Sequence, residues 1–398
     1  MTVFAQRAIR AAMKSVSQGN ERLDFIDAGR GLAIVLALAA HAVQAFVIYR
    51  NDFGIVLRTA MPTLLVVFGA MIEIAYLSRL RTGRAKAAAR QRMGARVVAC
   101  MAGFALITLT EYFHDDRGLT RVIQSLFFLE IGRFGYILAY YAAWLLLAMA
   151  FLEPLLRWGA KGVIAAALGA WAISFAAMWA GLPDQYTLHW ILGYGDVFGP
   201  GLLLALTFLS AGMLLGEALT GRGGWWPVWI VVALAVLTIG IDLVVSPRDY
   251  VGKLSGLYRR LNHPVYYAYG ILAAFVWLAL LARIDGWLRG GPQGAAAQTV
   301  RFGYRHLVLA GRQALFWYVA GNTALNFIPP FWHGPALGYL YAIAFMALLW
   351  VLSVDRARER SVIRWLSGGL FVALGAFWRA QVARAGTWLA NRMPAIGS

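Results

Sequence analysis

The stretch RLDFIDAGRGLAIVLALAAH, residues 22 to 41, places three side chains capable of chemistry in or beside an apolar run long enough to cross a membrane. His41 is the costly one. An imidazole titrates near pH ~6.5 and can take up a proton at neutral pH. An ionisable ring at bilayer depth turns toward a cavity, a partner or a proton relay. On a helix turning 100° per residue, Arg30 and His41 lie only ~20° apart in azimuth and ~16 Å apart along the axis. Asp27 stands three residues before Arg30, where a carboxylate can grip and orient the guanidinium. Asp27, Arg30 and His41 thus form one stripe, with charge at one end and a candidate base at the other. The plainer alternative is a neutral His41 bonded to a neighbouring helix.

A second group lies in RLRTGRAKAAARQRMGAR, residues 79 to 96, which carries seven Lys and Arg and no acid. Such a run marks the cytoplasmic side of a membrane chain or meets anionic lipid. Arg90, Arg92 and Arg96 run on into the next apolar segment, where a guanidinium can hold a phosphate through two hydrogen bonds. Glu130, beside Arg133 in LFFLEIGRFGY, pairs locally or orients a reacting group, and Glu73 suits a pairing with the basic loop. His114, His189 with Trp190, and His333 with Trp332 fall in loops mixing acids and aromatics, a composition suited to a polar ring or to an interfacial aromatic belt. Cys100 is the single cysteine, and no Cys/His cluster has zinc-like spacing, so no disulfide and no metal are expected.

These groups must be positioned by membrane helices. The 398 residues are 61% hydrophobic and only 14% charged, which places the chain among polytopic all-α membrane proteins. A span needs about 20 apolar residues, and about ten windows qualify: 29–49, 54–77, 94–113, 134–156, 161–181, 198–217, 226–246, 265–284, 306–327 and 334–353. The stretch 362–378 is an eleventh possibility or an interfacial helix. The formal charge of +18 comes from 36 basic residues against 18 acidic ones, but the basic residues lie between apolar segments, which is topology rather than a nucleic-acid surface. With both termini cytoplasmic, most basic residues fall inside. The organisation expected is an interfacial segment 1–28, a transmembrane domain 29–353 and a basic, membrane-associated cytoplasmic segment 354–398. No internal repeat is evident.

LDFIDAGRGLAIVLALAAH resembles the first span of the acyltransferase-three family of membrane O-acyltransferases, whose arginine, ten intervening residues and histidine are met by Arg30 and His41, with Asp27 and Gly31 also fitting. LLVVFGAMI at 64–72 is similar to that family's second span. Arg90, Arg92 and Arg96 stand where the family has a tighter Arg-x-x-Arg. LAGRQALFWYVAGN at 309–322 is similar to a late family segment. Many members have a histidine about where Gly321 stands, and its absence here is closer to the branch that succinylates periplasmic glucans.

The resemblance implies an enzyme of the bacterial inner membrane. It would move a succinyl or acetyl group from cytoplasmic acyl-CoA to a hydroxyl of an extracytoplasmic glycan, with membrane lipid around it and no nucleic acid. His41, Arg30 and Asp27 would be catalytic, and Arg30, Arg90, Arg92 and Arg96 would hold the coenzyme A thioester. Glu130, His189 and Trp190 would meet the acceptor. A proton-coupled transporter or lipid flippase using His41 as a relay, and a scaffold with His41 as packing, are the competing readings.

Overall fold

A computed structural model describes residues 23–47, 54–83, 85–113, 118–130, 132–183, 185–195, 199–248, 250–328, 335–357 and 370–392. Among these the chain is predominantly helical, with no strand. Seven helices are long and apolar enough to cross a membrane: Asp24–Phe46, Gly54–Arg81, Lys86–Phe113, Ala160–Trp179, Trp226–Val245, Pro264–Arg289 and Ala336–Val354. Each coincides with an expected window. The helix at Lys86 starts earlier than its apolar window because its arginines, alanines and glutamine are good helix formers that hydropathy passes over.

Three expected spans take other forms. The 134–156 window is two helices, Tyr136–Ala150 and Leu152–Trp158, bent by 80° at Phe151. The 198–217 window opens in turns and becomes regular only over Leu206–Leu219. The 306–327 window is not one span. Ala295–Arg312 ends at Gln313 and a separate helix runs from Ala314 to Phe327. The physical reason is the polar Arg312–Gln313 pair: Arg312 is drawn into an ion pair with Asp24, and an apolar average conceals it. Of 362–378, residues 362–369 lie outside the described residues, and Leu370–Arg392 is helical. The 1–28 segment is described only from residue 23, and the 354–398 segment only over 354–357 and 370–392.

The chain divides into two compact units. The first comprises 1–40, 50–78 and 159–314. In it the first helix meets Ala295–Arg312 backbone to backbone. A Cβ on Gly31 would lie 1.9 Å from the Leu307 carbonyl oxygen, and one on Gly311 would lie 1.7 Å from that of Asp27. Only glycines allow this approach. Trp226–Val245 lies at the margin of this unit, with Leu234, Val236, Leu237, Val244 and Val245 exposed, an apolar surface for lipid to cover.

The second unit comprises 41–49, 79–158 and 315–398. Lys86–Phe113 packs against Tyr136–Ala150 and against the C-terminal helix. A Cβ on Gly94 would lie 2.4 Å from the Gly386 carbonyl oxygen, and Gln91 donates to the Thr387 hydroxyl at 2.8 Å. The C-terminal helix is therefore docked on the helix that carries Arg90, Arg92 and Arg96. Cys100 is buried in this unit.

Candidate functional site

In the first unit, the start of the first helix forms a small charge cluster. Arg30 Nη2 donates to Asp27 Oδ1 at 2.5 Å, so the i,i+3 contact is made. Asp27 is buried at 5% exposure and meets a second cation, with Arg312 Nε 3.6 Å from its other oxygen. Arg312 also donates to Asp24 Oδ1 at 2.7 Å. The Gly31–Gly311 contact brings Arg312 here, one residue after the close approach. The buried Asp27 carboxylate is thus met by two guanidiniums at the helix entrance, as burial of charge requires, while Asp24 and Arg312 pair at its exposed edge. Arg312 was not among the candidates read from the sequence, because it sat inside a stretch taken as an apolar span.

In the second unit, His41 sits in a polar and aromatic nest. Its Nδ1 lies 2.6 Å from Asn322 Oδ1. Its ring stacks on Phe134 at 4.3 Å and meets the edge of Tyr318 at 6.2 Å. The Tyr318 hydroxyl donates to the Phe134 carbonyl at 2.6 Å, and the Asn322 amide donates to the Tyr318 carbonyl at 2.8 Å. Tyr318, Asn322 and Asn326 recur at every fourth position of Ala314–Phe327, so they share a face. Asn322 and Asn326 are fully buried, and Asn326 donates to the Ile107 carbonyl and the Thr110 hydroxyl.

The loop before Tyr136 supplies Phe134. It is anchored from both sides: the buried Glu111 carboxylate accepts the Arg133 backbone N–H at 2.6 Å, and the Tyr136 hydroxyl accepts from Gly132 and donates to the Glu130 carbonyl. Phe128 takes a φ of 60°, an uncommon conformation for a bulky residue, and stacks on Phe104 at 5.1 Å. Arg133 lays its guanidinium over the Phe134 ring at 4.7 Å. One face of Phe134 therefore carries a cation and the ring also holds His41. Glu111 and Asn322 were both missed in the sequence. Glu111 falls inside the expected 94–113 window, and Asn322 is 281 residues from its partner.

The other candidates are placed as follows. Arg90, Arg92 and Arg96 lie in the first turns of Lys86–Phe113, with Arg90 half-buried and Arg92 and Arg96 exposed. The Glu130 side chain pairs with Arg121 at 3.7 Å on the surface of the second unit, apart from the ring of His41, and contributes its backbone carbonyl to the loop. His189 and Trp190 are buried in the first unit on Tyr186–Leu192, with the His189 ring edge-on to Tyr194 at 4.4 Å. Glu73 is buried in the first unit, 3.7 Å from Arg222. Among the described residues no three His, Cys, Asp or Glu side chains gather as metal ligands would.

This fold and these residues define a class: a helical, multi-pass membrane protein with a half-buried, hydrogen-bonded histidine. Comparison with family models, with characterised proteins and with solved structures finds no match to this chain.

Proposed function

We propose that this chain is a membrane O-acyltransferase that moves an acyl group, succinyl or acetyl, from acyl-CoA to a hydroxyl of an extracytoplasmic glycan, with periplasmic glucan as the favoured acceptor. The observation that carries this reading lies within the second unit. One helix, Lys86–Phe113, bears three arginines near its start, and further along it Phe104 and Thr108 face Gly135, the neighbour of Phe134, while the Ile107 carbonyl and Thr110 hydroxyl accept from Asn326. From Arg96 to residues 104–108 is ~12–18 Å along the axis. A nucleotide gripped at the arginines would send its long thioester arm along this helix toward the imidazole. His41 would take the proton from the acceptor hydroxyl as that oxygen attacks the thioester carbonyl. The new C–O bond forms, the C–S bond breaks, and the proton passes from the imidazolium to the departing thiolate, leaving ester and free coenzyme A thiol.

Mass analysis of periplasmic glycans from cells making wild type, His41→Ala and Arg30→Ala, each checked for folded protein, tests the reading. Loss of the acyl-bearing species in His41→Ala, with wild-type abundance of protein, is the expected result. Unchanged acylation would overturn it. The break at Gln313 and the bend at Phe151 favour a second reading, a proton-coupled transporter or lipid flippase, since interrupted helices line many transport sites. Binding of succinyl-CoA or acetyl-CoA to purified protein, weakened about tenfold or more by Arg90→Ala with Arg96→Ala, is the result that separates the two, because each phosphate-bound guanidinium contributes charge-assisted hydrogen bonds.

A further inference from the structure

The geometry points to Asn322 as the residue that sets the tautomer of His41 and so selects Nε2 as its basic atom. This inference rests on the acyl-transfer reading for its kinetic consequence, but the tautomer itself stands apart from any reaction. The Asn322 amide group is oriented by Tyr318, whose carbonyl oxygen can only accept, so the NH2 of Asn322 must be the end that faces it, at 2.8 Å. The amide oxygen is then the end that faces His41 Nδ1 at 2.6 Å. An amide oxygen only accepts, so Nδ1 must carry the hydrogen. A neutral imidazole with hydrogen on Nδ1 has its lone pair on Nε2.

Neither half of this arrangement is loose. Asn322 and Tyr318 are four residues apart on one helix, and both are buried. The Tyr318 hydroxyl is tied to the Phe134 carbonyl, and the Phe134 ring lies against the imidazole. Rotation of His41 about its Cβ–Cγ bond would break the stack and the hydrogen bond together. Asn322 touches no reacting atom in the proposed step. It is a positioning residue, and it is neutral, where a carboxylate would add a negative charge beside the ring.

Two measurements on the full chain in lipid nanodiscs test this. In the first, protein labelled with 15N in its histidines is compared with His41→Asn to isolate the His41 signals. Wild type is expected to show a protonated Nδ1 and an unprotonated Nε2, and Asn322→Leu a mixture of tautomers. A hydrogen on Nε2 in wild type overturns the inference whatever the protein does. In the second, transfer from radiolabelled succinyl-CoA to a neutral glucose oligosaccharide is followed against pH. Asn322→Leu is expected to lower kcat about tenfold or more with the donor KM within about twofold, as loss of one hydrogen bond predicts. Asn322→Asp is expected to restore most of the rate while moving the acid limb of the profile to higher pH. Full kcat in folded Asn322→Leu, or an acid limb unmoved by Asn322→Asp, overturns the role. Transfer retained by His41→Ala would instead remove His41 as the base, and no transfer by folded wild type would count against the transferase reading itself.

Discussion

At the scale of single residues, the decisive features are histidine rings held by one hydrogen-bond partner. His263 is a second case outside the membrane-spanning segments. It caps Pro264–Arg289 by accepting the Val265 backbone N–H on Nδ1 at 3.4 Å, and burial holds its pKa below the usual histidine value. The folded form therefore binds the proton less readily than the unfolded form. Stability is full above pH ~6.5 and falls as pH drops from there toward the folded value. Thermal unfolding should show a lower midpoint at pH 5.5 than at 7.5 in wild type. His263→Asn, which keeps a capping oxygen and cannot titrate, should flatten that difference. His41 was legible because an ionisable ring in an apolar run demands an explanation. Asn322 was not, since a single asparagine among aromatics and alanines carries no signal until the chain is folded. Arg312 was hidden for another reason: window averages conceal one charge, though the adjacent Arg–Gln pair was a visible clue to the break.

At the scale of elements, position follows from where backbones come closest. The contact at Gly31 and Gly311 is what delivers Arg312 to Asp24 and Asp27. Gly31→Ala would force the helices apart or the side chain into a carbonyl, at a cost of about 1–3 kcal/mol. It should lower the unfolding midpoint and reduce the yield of folded protein. Gly303→Ala makes a clean control, because a Cβ there meets nothing within 4 Å. In the middle of a helix that exchange should be neutral or add about 0.5–1 kcal/mol. The long helices were legible from hydropathy because bilayer length and apolar content coincide in them. The bend at Phe151 was not, since the window runs apolar through it, and the break at Gln313 showed only in the Arg312–Gln313 pair that the average conceals.

At the scale of the whole molecule, the number of crossings turns on the bent pair Tyr136–Ala150 and Leu152–Trp158. Between Thr82 and Leu182 lie two helices of spanning length and the bent pair joined at Phe151. If the pair crosses, the two positions face opposite compartments; if it re-enters, they face the same one. The basic run 79–96, within which Thr82 lies, favours the cytoplasm for that side. Cysteines introduced at Thr82 and at Leu182, both exposed positions, should react with a membrane-impermeant maleimide from opposite faces of sealed vesicles. Labelling of both from one face would remove the bent pair from the span count. The lone native thiol makes this practical. Because Cys100 is folded away among other helices, the unmodified chain should be nearly silent to the reagent. It is a ready background in which any surface position can be tagged, one at a time, for spectroscopic probes or crosslinkers.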